Sequence, residues 1–70
     1  MKRIAVISKV LKSVGYDKAT GILEVEFKNG GLYEYSDVSP EEYAALMLAT
    51  SKGQYFGEQI RDRYRYRRVR

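Results

Sequence analysis

Near one end of a 70-residue chain runs Arg63-Tyr64-Arg65-Tyr66-Arg67-Arg68, the stretch whose residue types and spacing most clearly suggest a chemistry. That chemistry is binding. An arginine fork matches phosphate oxygens and stacks on rings, and a tyrosine face can hold an unstacked base. Read as a strand, the segment sets Arg63, Arg65 and Arg67 on one face and Tyr64, Tyr66 and Arg68 on the other. Successive arginines would then stand about 6.6–6.8 Å apart. The charge agrees: residues 1–60 hold seven basic and eight acidic side chains, whereas residues 61–70 hold six arginines and one acid. All the excess positive charge sits in the tail, which points to an anionic partner, nucleic acid first. A basic end that only aids solubility is the plainer alternative.

Two further clusters could bind. Tyr33-Glu34-Tyr35 could present bases with a stacking platform on a sheet face, or it could place two rings in the core; the hairpin register discussed below favours the core. Lys52-Gly53, directly after Ser51, combines a lysine with the free N–H groups of a helix start, an arrangement that attracts anions. An ordinary capped turn between two helices is the preferred account, and no full phosphate-loop pattern is present.

Catalysis finds little support. The chain has no His and no Cys, so imidazole acid–base chemistry, thiol nucleophiles, zinc sites and disulfides are excluded. Glu41 and Glu42 are explained by helix capping, and Glu24 and Glu26 read as neighbours on a solvated strand face. Ser39 and Ser51 read as caps with no base to activate them. No acidic cluster suggests a metal. The expectation is no catalytic residue, no metal and no cofactor.

The elements that must position these residues are legible in outline. Ile4 to Ile7 is a short apolar run, read as an edge strand or a loose arm within residues 1–9. Val10 to Tyr16 is rich in β-formers, and Asp17 to Gly21 is turn chemistry. From Ile22 to Lys28, Leu23, Val25 and Phe27 alternate with Glu24, Glu26 and Lys28, the period of a strand with one buried face. Asn29-Gly30-Gly31 signals a hairpin. A two-residue loop would pair Glu26 with Tyr33. A three-residue loop with Gly31 at the bulge would pair Phe27 with Tyr33 and Val25 with Tyr35, and is preferred because it gives the apolar face aromatic partners. Ser39, Pro40 and Glu42 form a cap, a first helical residue and a capping box. Tyr43, Leu46, Met47 and Thr50 make the inward stripe of that helix. Ser51 to Gln54 repeats the capping logic for a second helix with Phe56 and Ile60 inward. Gly53 and Gly57 give it a flat stripe where another backbone could lie close.

Val14-Gly15-Tyr16-Asp17, Leu23 to Phe27, Tyr33-Glu34-Tyr35, Ser51-Lys52-Gly53-Gln54-Tyr55-Phe56 and Tyr64 to Val69 together resemble the KTSC domain. The likeness spans roughly residues 10–69. The resemblance implies a small domain found at the C-terminus of some lysyl-tRNA synthetases and as stand-alone bacterial and phage proteins. It implies no established activity, with RNA binding suggested. Gly57 stands where the family leads one to expect Asn, and Arg65 where Pro is expected, which adds a backbone donor and a charge to the tail.

The sequence therefore predicts an α+β domain over residues 10–70. Its antiparallel sheet has three or four strands (residues 10–37), with residues 64–69 a possible edge strand. Helices at 39–50 and 51–62 pack against the sheet. The expected function is a non-enzymatic module binding nucleic acid, RNA more than DNA. Lys52, Arg61, Arg63, Arg65, Arg67 and Arg68 would meet phosphates, and one or more of Tyr33, Tyr35, Tyr64 and Tyr66 would stack. The alternative is an accessory domain whose basic tail pairs an acidic protein surface. With no apolar run near 18 residues and too short a start for a signal peptide, a cytoplasmic setting without membrane contact is expected.

Overall fold

Alternation of apolar and charged residues in the hairpin builds the centre of a five-stranded antiparallel sheet. A computed structural model, describing residues 2–70, runs β1 (Arg3–Ala5), β2 (Leu11–Asp17), β3 (Ile22–Phe27), β4 (Leu32–Tyr35), α1 (Pro40–Leu48), α2 (Lys52–Gln59) and β5 (Tyr66–Arg68). Strands follow one another across the sheet in the order β1-β2-β3-β4-β5. The α+β class is as expected, but the sheet has five strands, because both ends of the chain join it. Residues 3–5 supply one edge, and the tail supplies the other over residues 66–68 rather than 64–69.

One face carries the core: Leu11, Val14, Leu23, Val25 and Tyr35 pack against Val38, Leu46, Phe56 and Ile60. Leu11 and Val14 are three residues apart and would face opposite ways in a regular strand. A register shift between Leu11 and Ser13 leaves Lys12 as the extra residue, so both leucine and valine point inward. Phe56 meets Phe27 and Tyr35 edge-to-face, with centroids 5.5 and 5.2 Å apart. Such geometry suits the ring quadrupole.

The hairpin corrects the expected register. Val25 pairs with Tyr33 and Leu23 with Tyr35, two residues away from the anticipated alignment. The loop is Lys28-Asn29-Gly30, closed by Phe27 N–H to the Gly31 carbonyl at 2.8 Å. Gly30, not Gly31, takes the left-handed position, with φ of 100°. A two-residue shift preserves parity, so the tyrosines still lie on the apolar face.

Ser39 caps α1, its hydroxyl accepting from Glu42 N–H at 3.0 Å, with Pro40 as first residue. Ser51 likewise accepts from Gln54 N–H at 3.3 Å. Both helices are shorter than expected. Ala49 leaves the helical region with ψ of 138°, so Thr50 is exposed and drops out of the inward stripe. The glycine stripe is only half occupied: a Cβ on Gly53 would meet Ser8 Oγ at 3.2 Å, whereas one on Gly57 would meet nothing within 4 Å.

Candidate nucleic-acid interface

Strand register divides the arginines into two sets. On the face away from the helices, Arg3, Gly15, Glu24, Glu34 and Arg67 form one row across all five strands. Glu24 beside Glu34 is unfavourable by itself, and an arginine at each end of the row offsets it. Arg3 Nη1 reaches Glu24 at 2.5 Å, and Arg67 Nη2 reaches Glu34 at 2.7 Å. In the next row Ser13 donates to Glu26 at 2.8 Å and Arg70 Nη2 donates to the same carboxylate at 2.7 Å. The Ser13 hydrogen bond holds the Glu26 carboxyl below its usual range against the opposing effect of burial, and the charge of Lys12, the hydrogen bond from Arg70 and the charge of Arg3 add to it. Glu24 and Glu26 are therefore not on a solvated face. Glu24 is only 8% exposed, under the side chain of an N-terminal strand that composition gave little reason to place there.

Arg67 and Arg70 are thus tied into the fold. Arg61 lies 3.7 Å from Asp62. Arg63, expected in a strand ladder, sits in the turn after α2 and donates to Gln59 at 2.9 Å. The Arg65 carbonyl accepts Ser36 N–H at 2.8 Å, extending the pairing beside β5. Among the described residues, Arg63 and Arg65 have no carboxylate partner within salt-bridge distance, whereas Arg68 donates its Nε to the main-chain oxygen of Arg70 at 3.1 Å.

The tyrosines divide as well. Tyr64 leaves the sheet and donates to Glu42 at 2.9 Å, and Tyr55 donates to the other oxygen of the same carboxylate. Glu42 therefore joins α1, α2 and the tail, rather than folding back on its own cap. The bond to Glu42 raises the Tyr55 phenol above its ordinary value; for Tyr64 burial acts first and that bond second. Tyr66 stays on the sheet, opposite Tyr35, and is 57% exposed. Its ring lies 5.8 Å from Tyr33 and 5.6 Å from Tyr35. Arg68, opposite Tyr33, sets its guanidinium 5.7 Å from that ring's centroid, within cation–π range. Tyr35 is a core ring, 3% exposed, and burial pushes its phenol up to about 12. Tyr33 is half-buried.

Around these rings opens a shallow groove of about 340 Å³, lined by Phe27, Asn29, Tyr33, Tyr35, Arg61, Asp62 and Tyr66. The fold thus gathers Tyr33, Tyr35, Tyr66, Arg61 and Arg68 around one edge of the sheet. Lys52 is not among them. Its ammonium donates to the Ala49 carbonyl at 3.2 Å, and it lines a separate groove with Lys9 and Lys28. Sequence reasoning had no means to place Asn29, Asp62 or Arg70, since each comes to its position through pairing between distant segments.

Among the described residues, no group of three or more Asp or Glu could hold a metal, and no helix is long and apolar enough to cross a membrane. The chain is similar to a protein from Stutzerimonas stutzeri (strain A1501), 47% identical over 70 residues and covering 99% of both chains. It is also similar to part of a lysine–tRNA ligase from Nostoc punctiforme, 35% identical over 60 residues that are 86% of this chain and 11% of the ligase. The crystal structure of a KTSC domain protein from Yersinia pestis superposes with a TM-score of 0.96 at 32% identity, covering 99% of this chain and 97% of that one. With residues 7–64 matching the KTSC domain itself, the chain belongs to the KTSC domain family.

Proposed function

We propose that the protein is a non-catalytic module that binds single-stranded RNA along the β4–β5 edge. The observation that carries this is Tyr66: a large ring left 57% exposed on a strand, with Tyr33 beside it and Arg68 over Tyr33. Aromatic faces flanked by arginines are what single strands stack on, because every base offers a π-face. Arg63 and Arg65, free of carboxylate partners among the described residues, together with Arg68 beside Tyr33 and Arg61 at the groove, supply charge for the phosphates. Lysine–tRNA ligases among the relatives, named for a tRNA substrate, favour RNA over DNA.

The test is a titration against single-stranded RNA, duplex RNA and an acidic peptide at several salt concentrations. If four arginines each meet a phosphate, log K for the single strand falls against log salt with a slope of about −3, and Tyr66→Ala weakens binding without unfolding the domain. Salt-independent binding refutes phosphate contact. A preference for the acidic peptide makes the domain a protein-interaction module instead.

A further inference from the structure

Among the described residues, Tyr35 is a buried ring whose hydroxyl its own fold does not explain. The ring is buried to 3% exposure, yet its hydroxyl forms no hydrogen bond among the described residues. Tyr16 donates to the Val38 carbonyl, and Tyr55 and Tyr64 donate to Glu42. A sealed hydroxyl without a partner would be costly. None exists among the described residues, so the Tyr35 oxygen must surface where its ring tip reaches, on the floor of the 340 Å³ groove. Tyr33, Tyr66, Arg61 and Asp62 all stand close enough to influence its ionisation.

The groove around that hydroxyl has a defined polarity. Asn29 Oδ1 accepts Gly31 N–H at 3.0 Å, which leaves the amide nitrogen's donors uncommitted. Asp62 contributes a carboxylate, which only accepts, and the Arg61 guanidinium 3.7 Å away only donates. Tyr33 and Tyr66 supply ring faces. An acid is out of place in a surface meant for phosphates alone, where it would repel them; it fits a surface that reads N–H groups.

Resting on the proposed RNA binding, we infer that this groove accepts one unstacked base and selects guanine. Guanine's pairing edge presents two adjacent donors, N1–H and the N2 amine, beside the O6 acceptor. A carboxylate takes the two donors together, and a neighbouring donor (Arg61, Asn29 or the Tyr35 hydroxyl) meets O6. Adenine and cytosine each offer one exocyclic amine beside a ring acceptor that faces the carboxylate. Uracil offers a single N–H between two carbonyls. A well-made bidentate contact to a base separates right from wrong by about tenfold or more.

Short single-stranded RNAs of uridine carrying one central guanosine, adenosine or cytidine, with an all-uridine control, test this by fluorescence anisotropy at fixed salt. The guanosine RNA should bind about tenfold tighter than the other three. Asp62→Asn should bring it to the affinity of the others, and Tyr35→Phe should narrow the preference while the melting temperature holds. Measurable but equal binding of all four RNAs overturns the guanine site and leaves RNA binding standing, as does a guanosine preference that survives Asp62→Asn. Absence of binding to every RNA overturns both.

Discussion

Changing each tyrosine to phenylalanine separates hydroxyls that hold the fold from one that does not. Tyr16→Phe orphans the Val38 carbonyl, to which the hydroxyl donates at 2.5 Å. A net loss of about 1 kcal/mol follows. Tyr55 and Tyr64 donate to a carboxylate, Glu42. Hydrogen bonds to charged groups contribute about 1.5–3 kcal/mol, and the half-buried position of Glu42 argues for the lower end. Tyr35→Phe removes an oxygen with no partner in the fold and keeps the ring against Phe56. Its cost should stay within about 0.5 kcal/mol. Each kcal/mol moves the midpoint of so small a domain by about 4–8 °C. Thermal melts should therefore rank Tyr35→Phe near wild type, Tyr16→Phe lower, and Tyr55→Phe and Tyr64→Phe lowest. Tyr35→Ala is a different perturbation, because it empties the ring's place in the core. About 3–5 kcal/mol is at stake there, a large share of the roughly 4–10 kcal/mol available to a 70-residue domain. A Tyr35→Phe variant that melts as low as Tyr16→Phe would refute the reasoning. It would show the hydroxyl bonded inside the fold and remove it from the groove.

Ser39→Ala should cost about 1 kcal/mol in urea unfolding and Pro40→Ala much less, since the serine oxygen satisfies Glu42 N–H while the proline only presets φ. Replacing Arg63, Arg65 and Arg68 by Gln should cut the RNA salt slope by about 2 with little change in stability; an unchanged slope would place phosphate contact elsewhere. The Glu26 carboxyl is held below its ordinary value of 4.5, so its contribution is complete above about pH 4.5 and is lost as pH falls through the lowered value. Melting temperature should drop on acidification in that range, and less steeply in Arg70→Gln.

Local chemistry made most of the fold legible. Ser39-Pro40 and Ser51 mark helix starts because capping is settled within a few residues, and Leu23, Val25 and Phe27 mark a strand because the pleat has a period of two. The hairpin shows where local signals stop. Asn29-Gly30-Gly31 holds two glycines that could each take the left-handed position, and only closure by Phe27 and Gly31 decides for Gly30. The β2 irregularity at Lys12 carries no turn signal of its own. Its cause is the joint burial of Leu11 and Val14.

The candidate site was half legible for a related reason. Alternation correctly separates Arg67 from Tyr66 and Arg68, because parity within a strand needs no partner. What each face meets depends on a strand more than thirty residues away. Arg67 meets Glu34, 33 positions earlier, and Arg70 meets Glu26, 44 positions earlier, so both arginines serve the sheet. Arg68, one residue from Arg67, falls opposite Tyr33 and faces the groove. The charge total in the tail is thus a poor measure of what is available to a ligand. Two of its six arginines neutralise glutamates of the sheet, and a third, Arg61, lies beside Asp62, the acid at the groove. An interface built this way would draw affinity from few cations and selectivity from the rings and the carboxylate that line the groove. That combination predicts a modest salt slope together with a base preference, rather than the steep, sequence-blind binding that six free arginines would produce.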